Sequence, residues 1–426
     1  MANISLRQAS AHIRNSRMDR LASGDKADSS LEQALLSSSA PPMSAARKEW
    51  LGIKSMLFEP FNALVVFVPI GICAGIFQWS PLWIFTTNFM ALLPLANILG
   101  DATEELSAGL KNETLGGLLN ATFGNAVEMI VSIQSLMLNL ITVVKGSLLG
   151  SILSNLLLVL GMSFFFGGLG RRNKEQEFLE TGPMTNMSML LLACAAFAVP
   201  TVIPHHHHHF GSNTSVQLDD TVLSISRVAS IFLLLSYIGF LFFQLYTHLE
   251  VFESEDDNQA EATMSIWSSM LILLVSTVLV AVNSEFLVGS IEGVVSECNV
   301  SASFIGVILL PIIGNACEHV TSVRMAIMDK PVIAIGIAVG SSTQIALFVI
   351  PFAVIVGWCM GVHMDLDFNA LSVAILVLSV MITLSILVDG KSNWLEGLML
   401  QLTYLIIAVA FWYDPSSDFG APGAPQ

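Results

Sequence analysis

Two glutamates lie within long apolar stretches that contain no lysine or arginine. Glu128 belongs to L-L-N-A-T-F-G-N-A-V-E-M-I-V-S-I (118–133), and Glu318 belongs to I-L-L-P-I-I-G-N-A-C-E-H-V-T-S-V (308–323). Both stretches contain G-N-A-x-E. A carboxylate at the centre of a bilayer costs about 2.5–3.5 kcal/mol or more. The nine basic residues between 60 and 413 all fall in loops or at the ends of predicted spans. Each glutamate must therefore be protonated or hold a cation.

The residues around the two glutamates suit a hard cation. Calcium takes six to eight oxygen ligands, including amide and backbone carbonyls. Asn125 and Asn315 precede the glutamates by three residues, while Gly124 and Gly314, helped by Pro311, loosen the helix and can free backbone carbonyls. Neighbouring predicted spans add the uncharged oxygens of Asn120, Ser151, Ser154, Asn155, Ser341, Ser342, Thr343 and Gln344. No cysteine or histidine pair has ligand spacing, which argues against zinc or copper.

The same groups predict a mechanism. A carboxylate buried away from water favours its neutral form, so proton and metal compete for it. Two facing glutamates would hold either one divalent ion or two protons. If the empty, doubly charged site is too costly to reorient, transport becomes obligatory exchange. Cys317 and His319 flank Glu318 but project away from it. We expect both to pack or to line the pore, with proton transfer by His319 as the alternative.

Further acidic residues are candidates for the transport path. Glu105 and Glu285 are assigned to a cation or proton path at corresponding positions of two predicted spans. Asp101 and Glu104 are explained by solvation at a helix end. Asp389 and Glu396 flank a predicted turn and are interpreted as structural.

The composition requires that membrane-spanning helices position these groups. Of 426 residues, 54% are hydrophobic and 12% charged, with a net charge of -16 and a mean hydropathy of +0.72. Soluble domains carry about 25% charged residues. The composition excludes an ordinary cytosolic enzyme, a nucleic-acid binder and a disordered scaffold. The five cysteines, all in apolar segments, predict no disulfide framework.

The predicted fold is all-α, with eleven membrane spans. They cover about 61–79, 83–101, 115–138, 143–167, 184–204, 222–247, 266–290, 301–326, 331–357, 369–388 and 394–413. With a cytosolic N-terminus, 15 of the 17 basic residues fall on the cytosolic side, as the positive-inside rule requires. The exceptions are Lys145 and Arg227.

The chain contains an internal repeat. An offset of 190 residues carries Gly124, Asn125, Ala126 and Glu128 onto Gly314, Asn315, Ala316 and Glu318, and Gly150 and Ser151 onto Gly340 and Ser341. An offset of 180 carries Glu105 and Gly109 onto Glu285 and Gly289. Five spans per half predict inverted topology, with the site where the halves meet. The predicted segments are a disordered cytosolic arm (1–59), a first span (60–82), a first repeat (83–249), an acidic linker helix (250–265), a second repeat (266–413) and a luminal tail (414–426).

Two connecting segments have unusual composition. The linker between the halves carries six acidic residues, which a field effect could use to gather divalent cations, although a solvated linker is the simpler alternative. They are Glu250, Glu253, Glu255, Asp256, Asp257 and Glu261. On the opposite side, the run His205 to His209 could bind transition metals or titrate near neutral pH. A tolerated low-complexity loop is the simpler interpretation of that run.

At these motifs the sequence resembles the vacuolar calcium/proton exchangers of the cation/calcium antiporter superfamily. The resemblance covers roughly 60–413 and rests on both G-N-A-x-E motifs, A-T-E-E-L (102–106), G-S-I-L-S-N-L-L-L-V-L-G (150–161) and G-S-S-T-Q-I-A-L-F-V (340–349). It implies a separate first span, two inverted five-helix repeats, and a vacuolar or other acidic-organelle membrane. It also implies Glu128 and Glu318 as the ion-binding pair.

The expected function is antiport of cytosolic calcium into an acidic lumen against protons, with no enzymatic activity and no cofactor. The alternatives are a sodium-coupled or manganese-preferring exchanger and a calcium-permeable channel. No H-E-x-x-H, G-x-S-x-G or paired intramembrane aspartates favour a membrane hydrolase. Manganese and cadmium are considered as further substrates, the lipid bilayer is the expected partner, and self-association into a homo-oligomer is left open.

Overall fold

The computed structural model describes residues 45–57, 59–110, 112–169, 175–208, 215–248 and 262–413. Two compact units separate after Leu51, and every contact reported below lies within the second unit, Gly52–Gln426. The α-helices are α1 (Ala45–Leu57), α2 (Phe67–Ile76), α3 (Pro81–Leu110), α4 (Glu113–Phe123), α5 (Ala126–Met137), α6 (Ile141–Leu153), α7 (Leu160–Leu169), α8 (Thr181–His208), α9 (Ser215–Phe242), α10 (Ile266–Gly289), α11 (Ile291–Cys298), α12 (Ala302–Phe304), α13 (Leu310–Gly314), α14 (Ala316–Ile327), α15 (Pro331–Gln344), α16 (Ile350–Met360), α17 (Ala370–Leu387) and α18 (Trp394–Trp412).

Short segments of other helical geometry join several of these helices. A 3₁₀ segment covers Pro60–Val66, and π-helical turns cover Ser154–Val159, Phe243–Thr247, Ile305–Leu309 and Ile345–Val349. The turns at Ser154–Val159 and Ile345–Val349 follow G-S-I-L and G-S-S-T-Q, which the repeat offset superposes. π-Helical turns are rare and frequently mark functional sites. Here each widens the helix beside one of the G-N-A-x-E motifs.

The fold is mostly α-helical, as predicted. Eight helices of the described residues are long and apolar enough to cross a membrane, and ten result if each of two bent helix pairs counts as one span. Helical segments occupy all eleven predicted positions. The predicted third span, 115–138, is divided into α4 and α5, and α5 is a shorter apolar helix of 12 residues.

Two features differ from the sequence prediction. The arm predicted to be disordered ends in α1, which is helical because its 13 residues contain neither proline nor any β-branched residue except Ile53. A two-stranded antiparallel sheet pairs β1 (Glu175–Glu177) with β2 (Lys391–Asn393). On it, Lys391 Nζ lies 3.0 Å from Glu177 Oε1, and this carboxylate raises the pKa of Lys391.

Several predictions fall outside the described residues. These are the arm over residues 1–44, the acidic residues at 250–261, His209 and the tail at 414–426. His205 to His208 end α8.

Buried apolar side chains form two cores. One core draws on α3, α10 and α11, and the other on α7, α8 and α15 to α18. The segments that carry the G-N-A-x-E motifs contribute to both cores. Val127 and Val131 of α5 belong to the first core and Leu136 to the second, while Ile313 belongs to the first and Val307 to the second. The two motifs therefore lie at the boundary between the cores.

Candidate functional site

Both G-N-A-x-E motifs break a helix in the interior of the protein. Asn125 stands between α4 and α5 with ψ 21°, and Asn315 stands between α13 and α14 with ψ 16°. The second break bends the chain by 59°. Glu128 and Glu318 lie in the first turns of α5 and α14. The free N–H groups at a helix N-terminus favour negative charge nearby, so each break creates a suitable environment for a carboxylate.

The two motifs meet at the repeat interface. A Cβ placed on Gly314 would lie 2.7 Å from Glu128 Oε1, so only glycine lets α13 approach this carboxylate so closely. Glu128 is 6% exposed and interacts electrostatically with Glu318. Among the described residues, neither oxygen of Glu128 and not Oε2 of Glu318 has a hydrogen-bond partner. Two carboxyl groups with uncommitted oxygens thus lie within range of each other.

Buried amides connect each motif to the other repeat. The side-chain amide of Asn125 donates to Gln344 Oε1 at 2.7 Å. The amide of Asn315 donates to the carbonyl of Ser151 at 3.1 Å, and Asn155 donates to Asn315 Oδ1 at 3.4 Å. Each break residue is therefore held by the span that follows the motif in the opposite half. This reciprocal pattern fixes both breaks in one geometry.

The hydroxyl groups complete an oxygen-rich lining. Ser341 accepts a hydrogen bond from Asn155 Nδ2 at 3.0 Å and hydrogen bonds to the carboxyl group of Glu318. Ser154 is fully buried. A cavity of about 10 Å³ adjoins Glu128, which is about the volume that one water occupies. Its other lining residues are Val127, Val131, Ser147, Ser151, Leu310, Ile313 and Gly314.

The site is composed of carboxylate, amide and hydroxyl oxygens. No group of three or more histidine, cysteine, aspartate and glutamate side chains is placed to hold a metal ion within the described ranges. Such an oxygen set suits a hard cation more than a transition metal. Because only two of the groups are ionisable, the arrangement can exchange a divalent ion for two protons without leaving a net charge.

Comparison with known proteins gives the family. Residues 80–246 and 268–413 match the family described as sodium/calcium exchanger protein. The chain belongs to this family. It is 42% identical over 370 residues to a Ca(2+)/H(+) antiporter of Aphanothece halophytica, covering 83% of this chain and 96% of that one. It is also 42% identical over 373 residues to vacuolar cation/proton exchanger 1 of Arabidopsis thaliana, covering 85% of this chain and 78% of the relative.

A solved structure of native YfkE resembles the fold. The TM-score is 0.70 at 36% sequence identity, over 83% of this chain and 99% of YfkE. Both matched blocks of this sodium/calcium exchanger protein family contain one G-N-A-x-E motif. The family is one of antiporters, so the chain is a transporter, in agreement with the sequence prediction.

Two residues assigned to the ion path of this family member lie in other surroundings. The Glu105 carboxylate accepts hydrogen bonds from Thr263 N, Thr263 Oγ1 and Met264 N at 2.8–3.1 Å. It therefore anchors the chain just before α10. The Glu285 side chain is exposed. These contacts favour a structural role for Glu105, and the transport role of both residues stays a prediction.

His319 faces away from the paired carboxylates. Its Nδ1 lies 2.6 Å from the carbonyl oxygen of Asn315, which requires a proton on Nδ1. Its ring also lines an apolar groove of about 520 Å³ together with Phe166 and Arg324. His319 thus extends the rigid break at Asn315, and the structure gives it no contact with Glu318.

Sequence reasoning missed the connection between Asp101, Glu104 and the site. Both are at the C-terminal end of α3, and Glu104 interacts electrostatically with Glu318. Their spacing of three residues, which puts them on one helix face, was an available signal. It was overlooked because a helix end also accounts for two acidic residues.

Proposed function

We propose that the protein is a calcium/proton antiporter of an acidic organelle membrane, with its N-terminus in the cytosol. It moves cytosolic calcium into the lumen and returns protons. The vacuole is the proposed location, since close relatives bear the names vacuolar cation/proton exchanger and vacuolar calcium ion transporter.

One observation carries the proposal. Two glutamates from opposite repeats face one another at the N-termini of broken helices, and their oxygens have no hydrogen-bond partner among the described residues. In this environment two negative charges without a counterion would be very unfavourable. A calcium ion or two protons would neutralise them, and the two cargoes exclude each other.

Alternating access follows from the position of the site. The motif segments lie at the boundary of two apolar cores, so a displacement of one core relative to the other can open Glu318 to one face and Glu128 to the other. Because the empty site would carry two charges through an apolar boundary, only a loaded site reorients. Coupling between calcium and proton movement is the consequence.

The first prediction concerns the paired carboxylates. Glu128→Gln and Glu318→Gln each remove a charge without changing side-chain size, so either variant should lose at least about 90% of its pH-gradient-driven calcium uptake, because each carboxylate contributes directly to ion binding. Uptake is measured in proteoliposomes with an imposed pH gradient. Glu292→Gln, which removes a carboxylate from α11 outside the site, should transport normally.

The outcome distinguishes the alternatives. Wild-type uptake in either glutamine variant would overturn the proposal. Uptake that follows a sodium gradient and ignores the pH gradient would favour sodium coupling, and calcium flux without counter-movement of protons would favour a channel. Competition by manganese and cadmium tests the range of divalent substrates.

A further inference from the structure

The end of α3 forms one wall beside Glu318. A Cβ placed on Gly100 would lie 2.7 Å from Cys317 Sγ, so α14 packs directly on the residue that precedes Asp101. Cys317 interacts electrostatically with Asp101, Glu104 and Glu318. The acidic end of α3 and the buried glutamate of the second repeat are consequently neighbours across this helix contact.

These groups connect solvent to the site. The side chain of Glu104 is exposed, that of Asp101 is half-buried, and Glu104 acts on Glu318 through its charge. Glu318 Oε2 is buried without a hydrogen-bond partner in the described part of the chain. An exposed carboxylate, a half-buried one and a buried one with a free oxygen therefore follow each other inward.

The local charge stays negative when all neighbours are counted. Asp101 interacts with Glu104, Glu59 and Glu105, and with a single cationic group, Arg324. Asp101 Oδ2 also accepts a hydrogen bond from Asn97 at 3.3 Å, and Asn97 in turn donates to Asn62 before α2. The first span thus helps to hold Asp101 in place.

The other repeat has no such acidic pair. The offset of 180 residues carries Asp101 and Glu104 onto Ala281 and Ser284, and Ser284 is buried and donates to the carbonyl of Ala281. The offset of 190 carries Cys317 onto Val127, which lines the cavity beside Glu128. The two carboxylates of the site match between the repeats, but their surroundings on the way to solvent do not.

We infer that Asp101 and Glu104 form a cation-attracting entrance on the cytosolic side that has no counterpart on the luminal side. The inference rests on the proposed function. Carboxylates in a cleft with apolar walls raise the local concentration of a divalent cation. The exchanger therefore captures calcium at a lower concentration from the cytosol than from the lumen. Repeats with equal binding groups then work as an asymmetric transporter.

The experiment compares apparent calcium affinity from the two faces. Asp101→Asn and Glu104→Gln should each raise the cytosolic KM about fivefold at low ionic strength, as expected for a divalent ion attracted by a carboxylate across a water-filled cleft. The maximal rate should be unchanged. The luminal KM, measured as calcium release under an inverted pH gradient, should also be unchanged. Raising the salt concentration should reduce the effect.

Matched variants keep the test decisive. Glu180→Gln removes an exposed carboxylate before α8 on the same face and should leave both KM values unchanged. Glu104→Asp should restore the cytosolic KM of the wild type, which a merely structural role would not predict. Ala281→Asp, placed at the position corresponding to Asp101, should lower the luminal KM.

A cytosolic KM that stays at the wild-type value, or an equal change on both faces, would overturn the inference. A fall in the maximal rate without a change in KM would do the same. These results differ from failure of the proposed function, in which the wild type itself would show no calcium/proton exchange. Monodispersity of each purified variant is checked before reconstitution.

Discussion

At the scale of single residues, the contact between Gly314 and Glu128 controls the geometry of the site. A Cβ at position 314 would overlap the carboxylate oxygen, which lies 2.7 Å away, and its carbon at 3.0 Å. One of the two must move. Since Glu128 is buried on all sides, it has little room to do so without changing its distance to a bound ion.

The second prediction follows from this contact. Gly314→Ala should weaken the apparent calcium affinity at least about tenfold, because displacements below 1 Å at a binding group have effects of that order. Calcium-dependent uptake rates give the affinity. Gly336→Ala is the matched control, since no atom lies within 4 Å of a Cβ at that position of α15. Equal effects of both substitutions would show that helix propensity, not contact with Glu128, is responsible.

The candidate site could be predicted at this scale to a large extent. The two glutamates, the break residues Asn125 and Asn315, and Ser341 are all near the centre because the repeated motif places them there. Charge and spacing identify such groups. The contacts of Glu105 could not be predicted, because its partners Thr263 and Met264 are distant in sequence, and pattern alone does not say which loop returns to a helix end.

At the scale of helices, the approach of α14 to α3 is the contact that alternating access must change. The thiol of Cys317 touches the backbone at Gly100, and the two helices carry Glu318 and the acidic residues of the entrance. If the cores move relative to one another during transport, these two positions separate and rejoin in each cycle.

The third prediction uses the native thiol. In Gly100→Cys, the new Cβ would lie 2.7 Å from Cys317 Sγ, close enough for a disulfide with small adjustment. Mild oxidation should abolish uptake, and a reducing agent should restore it. Gly100→Cys combined with Cys317→Ser is the control and should not respond to oxidation. Unchanged transport with a quantitatively formed disulfide would contradict a relative movement of α3 and α14.

Hydropathy located the helical segments because the energetic requirement of a bilayer is strong and local. It placed 115–138 as one span because an average over about 20 residues conceals a two-residue break. The β1–β2 pair was missed for another reason. Strands of three residues carry no readable alternation, and their partners are more than 200 residues apart.

At the scale of the whole molecule, two basic residues on the predicted luminal side tie distant parts together. Lys145 Nζ lies 2.7 Å from both Asp365 Oδ1 and the carbonyl of Asp367. The guanidinium of Arg227 lies 4.8 Å from the ring centre of Trp358. The positive-inside rule places neither residue there, and these tertiary partners explain why both are tolerated.

The fourth prediction concerns the Lys145–Asp365 pair, which joins the two repeats. Lys145→Met should lower the free energy of unfolding by about 1–3 kcal/mol, because it removes two charge-assisted hydrogen bonds from partly exposed groups. Thermal unfolding in detergent measures the change, while uptake per folded molecule should be retained.

Asp365→Asn serves as the second arm of a double-mutant cycle. The two substitutions together should destabilise less than the sum of the single effects, since both remove the same interaction. Strict additivity would show that Lys145 and Asp365 act independently.

The small cavity beside Glu128 has a consequence for which metals can pass. A volume of about 10 Å³ leaves space for roughly one water molecule, so a cation must arrive stripped of its hydration shell. Magnesium dehydrates reluctantly and demands six ligands at short, fixed distances, whereas calcium accepts irregular cages. The narrow chamber is therefore a filter against the smaller ion, and it selects by the work of dehydration, before any ligand makes a choice.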